Sequence, residues 1–145
     1  MHRRRLGGDT GSATTEFVIA TPAFLFTIML IVQAGLYFHA VSITSAAAQD
    51  GARTAAVGGT PDDLAAGEVV ATNLIGELAP QLLFNVQAAG TSEDGGDVVR
   101  MSVSADVTTV FAFPGMNIDF SIDESAESAI ERFRPPGDAP TDVTP

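Results

Sequence analysis

Hydrophobic residues crowd one end of this chain. Residues 17–41 carry no charged side chain and are mostly apolar. As a helix, about 25 residues rise about 37 Å, enough to cross a hydrocarbon core of about 30 Å. Pro22 lies inside the stretch, where it removes one backbone hydrogen bond and predicts a bend. Gln33 is strongly polar and has two readings: a hydrogen bond to a neighbouring helix, or a place near the outer interface.

Residues 42–57 keep the helical period but change in kind. Val41, Ser45, Ala48, Ala52 and Ala55 recur at i+3 and i+4, giving a face of small residues that another element can approach closely. The pattern predicts one helix from Thr15 to Val57, ended by Gly58-Gly59. Thr60-Pro61-Asp62-Asp63 then supplies a capping hydroxyl, a first-turn proline, and acids at the positive end of a second helix. That helix sets Leu64, Ala71, Leu74, Ile75 and Leu78 roughly on one side, and Pro80 limits it.

Beyond Pro80 the period becomes two. Residues 82–88 alternate from Leu82, with Phe84 the exception, and read as a strand. Residues 91–97 are rich in glycine and acid and read as a turn. Within 98–113, Val99, Met101, Val103, Ala105 and Val107 alternate as one face of a half-buried strand. Pro114-Gly115 marks the next turn. Ile118, Phe120 and Ile122 alternate with Asp119, Ser121 and Asp123 as a third strand, whose continuation over 124–133 is either strand or short helix. The tail from Pro135, with Pro136, Pro140 and Pro145, predicts disorder. The fold class expected is α+β: a long helix, a second helix, then a three-stranded antiparallel sheet packed on the small-residue face.

Charge orients this plan. The chain has 145 residues and a net charge of −11, yet Arg3, Arg4 and Arg5 cluster before the apolar stretch. Positive charge favours the cytoplasmic flank of a membrane helix, which predicts the N-terminus inside and the acidic domain outside. An acidic domain also disfavours nucleic acid as a partner. Cysteine and tryptophan are absent. Lysine is absent too, and the histidines are His2 and His39, so the soluble part holds no histidine base and no cysteine or lysine nucleophile. No catalytic residue, metal or cofactor is expected. Glu93, Asp94 and Asp97 do not follow the helix-loop-helix calcium spacing and read as a solvated turn. Asp119, Asp123, Glu127 and Glu131 read as an exposed face.

The junction before the apolar stretch is Gly11-Ser12-Ala13-Thr14-Thr15-Glu16. A carboxylate at the mouth of a membrane segment is costly and marks a function, although the helix dipole alone also favours an acid there. A basic leader, a glycine five residues before the glutamate and an immediate apolar helix together resemble the leader junction of type IV prepilins. Glu16-Phe17, Pro22 and the run from Ala46 through Gln49-Asp50-Gly51-Ala52-Arg53 to Ala56 are similar to the TadE-like family of pseudopilins. The end of the chain, Ser125-Ala126-Glu127 and then Arg132-Phe133-Arg134-Pro135, is similar by pattern.

The resemblance implies a minor component of a tight-adherence (Flp-type) pilus system, needed for pilus assembly or surface adhesion. It implies cleavage by a prepilin peptidase after Gly11, a new N-terminus at Ser12, and Glu16 as the glutamate of the family pattern. It implies as partners that peptidase, pilus-assembly membrane proteins, other pseudopilins and membrane lipid. Ser12 departs from the phenylalanine with which major pilins usually start, which bears on entry into a fibre. The layout expected is a basic leader at 1–11, a transmembrane helix at 12–41, a pilin-like extracytoplasmic domain at 42–134 and a tail at 135–145. A competing expectation is secretion: Ala46-Ala47-Ala48 has the small residues of a signal peptidase site, but the apolar run exceeds a signal core of about 7–15 residues. The alternative function is a signal-anchored or secreted acidic binding module unrelated to pili.

Overall fold

The computed structural model describes residues 10–57, 60–93, 97–110 and 120–130, with side chains from Thr14 onward. Helix α1, Thr10–Ala55, runs 46 residues without interruption, with Pro22 inside it. Its backbone is helical five residues earlier than the sequence pattern suggests, so Thr10 and Gly11 belong to the helix. Thr21 and Thr27 turn their hydroxyls back to the carbonyls of Phe17 and Ala23, which satisfies them without a partner outside the helix.

Helix α2, Pro61–Leu78, starts on the predicted cap. The Thr60 hydroxyl accepts from the Asp63 amide, and the Asp63 carboxylate accepts from the Thr60 amide at 3.1 Å, a reciprocal capping box. The Thr60 hydroxyl also donates to the Asp63 carboxylate at 2.6 Å, and this bond, followed by that of the Thr60 amide, holds the Asp63 pKa below its ordinary value. The helix ends at Leu78, and the Ala79 amide still bonds to the Ile75 carbonyl ahead of Pro80. Ala71 and Ile75 are buried as expected, whereas Leu78 is exposed. Gly67 joins them on the inner face.

The sheet is a meander in the order β1-β2-β3, all antiparallel. Strand β1 is Leu83–Glu93, β2 is Val98–Val107 and β3 is Phe120–Ala129. Every inward residue of the alternating run in β2, from Val99 to Val107, is buried. Three boundaries differ from the sequence reading. Thr91, Ser92 and Glu93 are strand rather than turn, paired with Arg100, Val99 and Val98. Strand β2 stops at Val107, short of Phe113. The ambiguous region from Glu124 is strand through Ala129, each residue paired to β2. The expectations for Gly58-Gly59, Pro114-Gly115 and the tail from Pro135 lie outside the described residues.

Phe84 is exceptional for a physical reason. The β1–β2 register shifts between Phe84 and Gln87, so one extra residue bulges out of β1. Asn85 takes φ 51°, a conformation asparagine tolerates better than most residues, and its amide donates to Asp106 at 2.9 Å. Leu83 and Val86 both turn inward across the bulge while Phe84 is left outside.

The core lies between the inward sheet face and the C-terminal half of α1. Ala40, Ile43, Thr44, Ala47, Ala48, Gly51, Ala52 and Ala55 of α1 are buried there. The two elements match in length: β3 spans about 30 Å, and the helix from Tyr37 to Ala55 rises about 27 Å. Tyr37 packs its ring 6.3 Å from that of Phe120 at one end.

Candidate functional site

The sequence singles out no reaction centre, so the site to be built is the helix itself, in three successive parts. The first is the junction. Gly11 and Ser12 lie on the opening turn of α1, and Glu16 stands exposed on the next turn. A separation of four residues puts positions 12 and 16 on one face of a helix, about one turn apart. The structure therefore brings together, along the backbone, the three residues that the sequence nominated.

The second part spans residues 17–32. Phe17, Val18, Ile19, Phe24, Leu25, Ile31 and Val32 are all exposed, and Thr21 is the one position in the span that is not fully so. No other element of the described fold packs here. This helix is long and apolar enough to cross a membrane.

The third part begins at Gln33. The residue is 4% exposed, and its amide is bonded within the chain's own domain rather than to a neighbouring helix. Gln33 Oε1 accepts from the Val110 amide at 3.0 Å, and its amide donates to the Thr108 carbonyl at 3.4 Å. Thr108 is tied further, its amide to the Leu82 carbonyl and its hydroxyl to the Gln81 carbonyl, both at 2.8 Å. The clasp thus gathers α1, the end of β2 and the turn before β1. A sequence window around Gln33 contains no sign of partners more than seventy residues away.

Above the clasp the small residues allow close packing. A Cβ added to Gly67 would meet the Gly51 carbonyl at 2.5 Å and the Ala55 Cβ at 2.9 Å. One added to Gly51 would meet the Gly67 carbonyl at 2.9 Å. Met101 reaches from the sheet into the same junction and also covers Gly90. Glu68 accepts from the Gly90 amide at 2.8 Å, which ties α2 to β1. The small-residue pattern signalled the α1 side of this packing; Gly67 and Met101 carry it on the other side.

The acidic clusters are distributed as surface groups. Arg100 lies between Glu93 and Glu127 across the three strands and pairs with both. Asp123 is exposed, and Asp94, Asp119 and Glu131 lie outside the described residues. Among the described residues no group of three or more His, Asp or Glu side chains is placed to hold a metal.

Taken together, the arrangement is an α+β domain built on the far half of one apolar, membrane-compatible helix. A family model described as TadE-like protein matches residues 11–53, which is where the sequence resemblance was strongest. The match starts one residue after α1 begins and stops two residues before it ends, so it covers the helix and leaves out α2 and the sheet. No curated protein and no solved structure matches the chain.

Proposed function

We infer that this chain is a minor pseudopilin of a tight-adherence (Flp-type) system, held in the membrane by the N-terminal part of α1 and acting in pilus assembly or surface adhesion. The observation that carries the reading is the coincidence of the matched segment 11–53 with one unbroken helix that is apolar and exposed at first and buried in its own domain later. One element then serves as both anchor and spine. The arginine-rich leader stays cytoplasmic and the acidic domain faces outward.

In this reading a prepilin peptidase cuts after Gly11 and frees an amine at Ser12. Glu16, one turn on, compensates that ammonium within the chain or in a neighbouring subunit when helices pack together. Removing one member of a buried pair leaves a charge uncompensated, at a cost of about 3–5 kcal/mol. Other pseudopilins and pilus-assembly membrane proteins are the partners, and no catalysis is assigned.

The secreted alternative meets a packing objection. Cleavage after Ala48 would strip Ala40, Ile43, Thr44, Ala47 and Ala48 from the core and uncover the inward face of the sheet. N-terminal sequencing of protein extracted from membranes separates the readings. A start at Ser12 supports the pseudopilin and a start at Gln49 supports secretion. Glu16→Gln is expected to be cleaved normally and to fail in assembly; normal assembly of that variant refutes the pairing.

A further inference from the structure

The chain's own dimensions bear on where the domain sits. From Glu16 to Gln33 the helix rises about 25 Å, less than the hydrocarbon thickness of about 30 Å. With the Glu16 carboxylate held at one boundary, Gln33 and the backbone bound to it lie about 5 Å inside the other. Tyr37 and Phe38 come about 6 Å higher, at the interface where amphipathic rings concentrate.

Backbone outside a helix tolerates such a depth only when its polar groups are satisfied within the protein. Four polar groups of the 108–110 segment meet that condition. The Val110 amide and the Thr108 carbonyl bond to Gln33, and the Thr108 amide and hydroxyl bond to the carbonyls of Leu82 and Gln81. Two apolar side chains are turned outward at this level, Phe38 at 72% exposed and Val110 at 49%, beside the exposed, uncharged polar side chains of His39 and Gln81. Asp106, the charged residue nearest this end of β2, is two residues removed from Thr108 and receives a hydrogen bond from Asn85. Among the described residues of the sheet, charge thus begins about two strand residues, or about 6–7 Å, beyond the clasp.

We propose that the Gln33 end of the domain is seated in the membrane interface, with Phe38 and Val110 in contact with phospholipid at the boundary of headgroup and acyl chain. The surface is continuous with the exposed apolar helix below it, which argues for lipid as its occupant. The proposal rests on the membrane-anchored reading of residues 17–32. It gives Gln33 a role that stability alone does not require: it internalises loop backbone at a depth where water is scarce.

The chain lacks tryptophan, so single tryptophans report without interference. Phe24→Trp, Phe38→Trp, Val110→Trp and Ser125→Trp are made separately in the full chain and reconstituted into phosphatidylcholine vesicles. Quencher-bearing lipids, labelled shallow or deep in the acyl chain, are compared with aqueous iodide. The expected result is loss of Phe24→Trp emission to the deep lipid label, loss of Phe38→Trp and Val110→Trp emission to the shallow label, and loss of Ser125→Trp emission to iodide. If the variants at positions 38 and 110 respond to iodide as the one at 125 does, while position 24 still responds to lipid, the domain stands clear of the membrane. The proposal is then overturned and the anchor stands. Shielding of positions 38 and 110 from both quenchers also overturns it, because a protein then covers them. If position 24 responds to iodide and not to lipid, the anchor reading itself fails, and the seat with it.

Discussion

Phe17, Phe24 and Leu25, on the N-terminal part of α1, stand open to their surroundings, whereas Ala40, Ala47, Ala48 and Ala52, a few turns later, are wholly covered. The backbone is the same helix throughout. Side-chain size separates the two parts. Large apolar groups line the half on which no described element packs, and small ones line the half that carries a domain. Large residues suit a lipid surroundings, where area and not shape decides the energy. Small residues suit a seat on which a second helix and a sheet approach to contact distance. Hydrophobicity alone, which is high in both halves, does not distinguish them.

The contrast is broken most severely where the sheet meets the small-residue half. Met101 is fully buried and touches the sites of Gly51, Gly67 and Gly90, so Met101→Ala is expected to cost about 2–5 kcal/mol. Thermal unfolding of the full chain in micelles, followed by circular dichroism, reads the loss. Phe24→Ala should shift that transition far less, since it opens no cavity within the protein.

Glycine sharpens the same point within a single helix. Gly67→Ala gains helix propensity of about 1 kcal/mol but drives a methyl into the Gly51 carbonyl, which cannot move without moving α1. Overpacking of about 1–3 kcal/mol wins, and the unfolding temperature should fall. Gly76→Ala, on the same helix with nothing within 4 Å, should raise it instead. A rise for both would mean that the helices are not packed this closely.

At the border between the halves, Gln33→Leu leaves the Val110 amide and the Thr108 carbonyl without their partner. The expected cost is about 1–3 kcal/mol. Hydrogen exchange at the Val110 amide provides a local readout and should speed up before global unfolding does. The smallest effect lies at the start of α2. Thr60→Ala removes the cap and should cost about 1 kcal/mol near neutral pH. Because the cap holds the Asp63 pKa below its unfolded value, the carboxylate contributes stability above the ordinary carboxylate range. That contribution is lost as pH falls through the lowered folded value. The gap between parent and Thr60→Ala, followed by denaturant titration, should therefore narrow in acid.

What could be read from the sequence follows from how local each cause is. The Thr60 cap and the alternation of Val99 to Val107 are set by neighbours a few residues apart, and both appear as written. The small-residue face of α1 was legible for the same reason. Strand β3 was only half legible. Its Ser, Glu and Ala residues from Glu124 onward are weak strand formers, and they become strand because β2 offers an edge to pair with. The bulge at Asn85 shifts the inward phase of β1, so a strict alternation from Leu82 misassigns the face of Leu83. Of the candidate site, the order Gly11, Ser12, Glu16 was visible directly. The clasp was not, since nothing near Gln33 in the chain names Thr108 or Val110.

The continuity of α1 has a mechanical consequence. There is no break in helical hydrogen bonding between the apolar stretch and the domain seat apart from the donor missing at Pro22. The domain grips the helix from Gln33 onward, on the far side of that point. A twist or an axial pull applied near Gly11 therefore reaches the sheet with little slack, and Pro22 is where compliance resides. The acidic domain turns and travels with its stem, like the bit of a key on its shank.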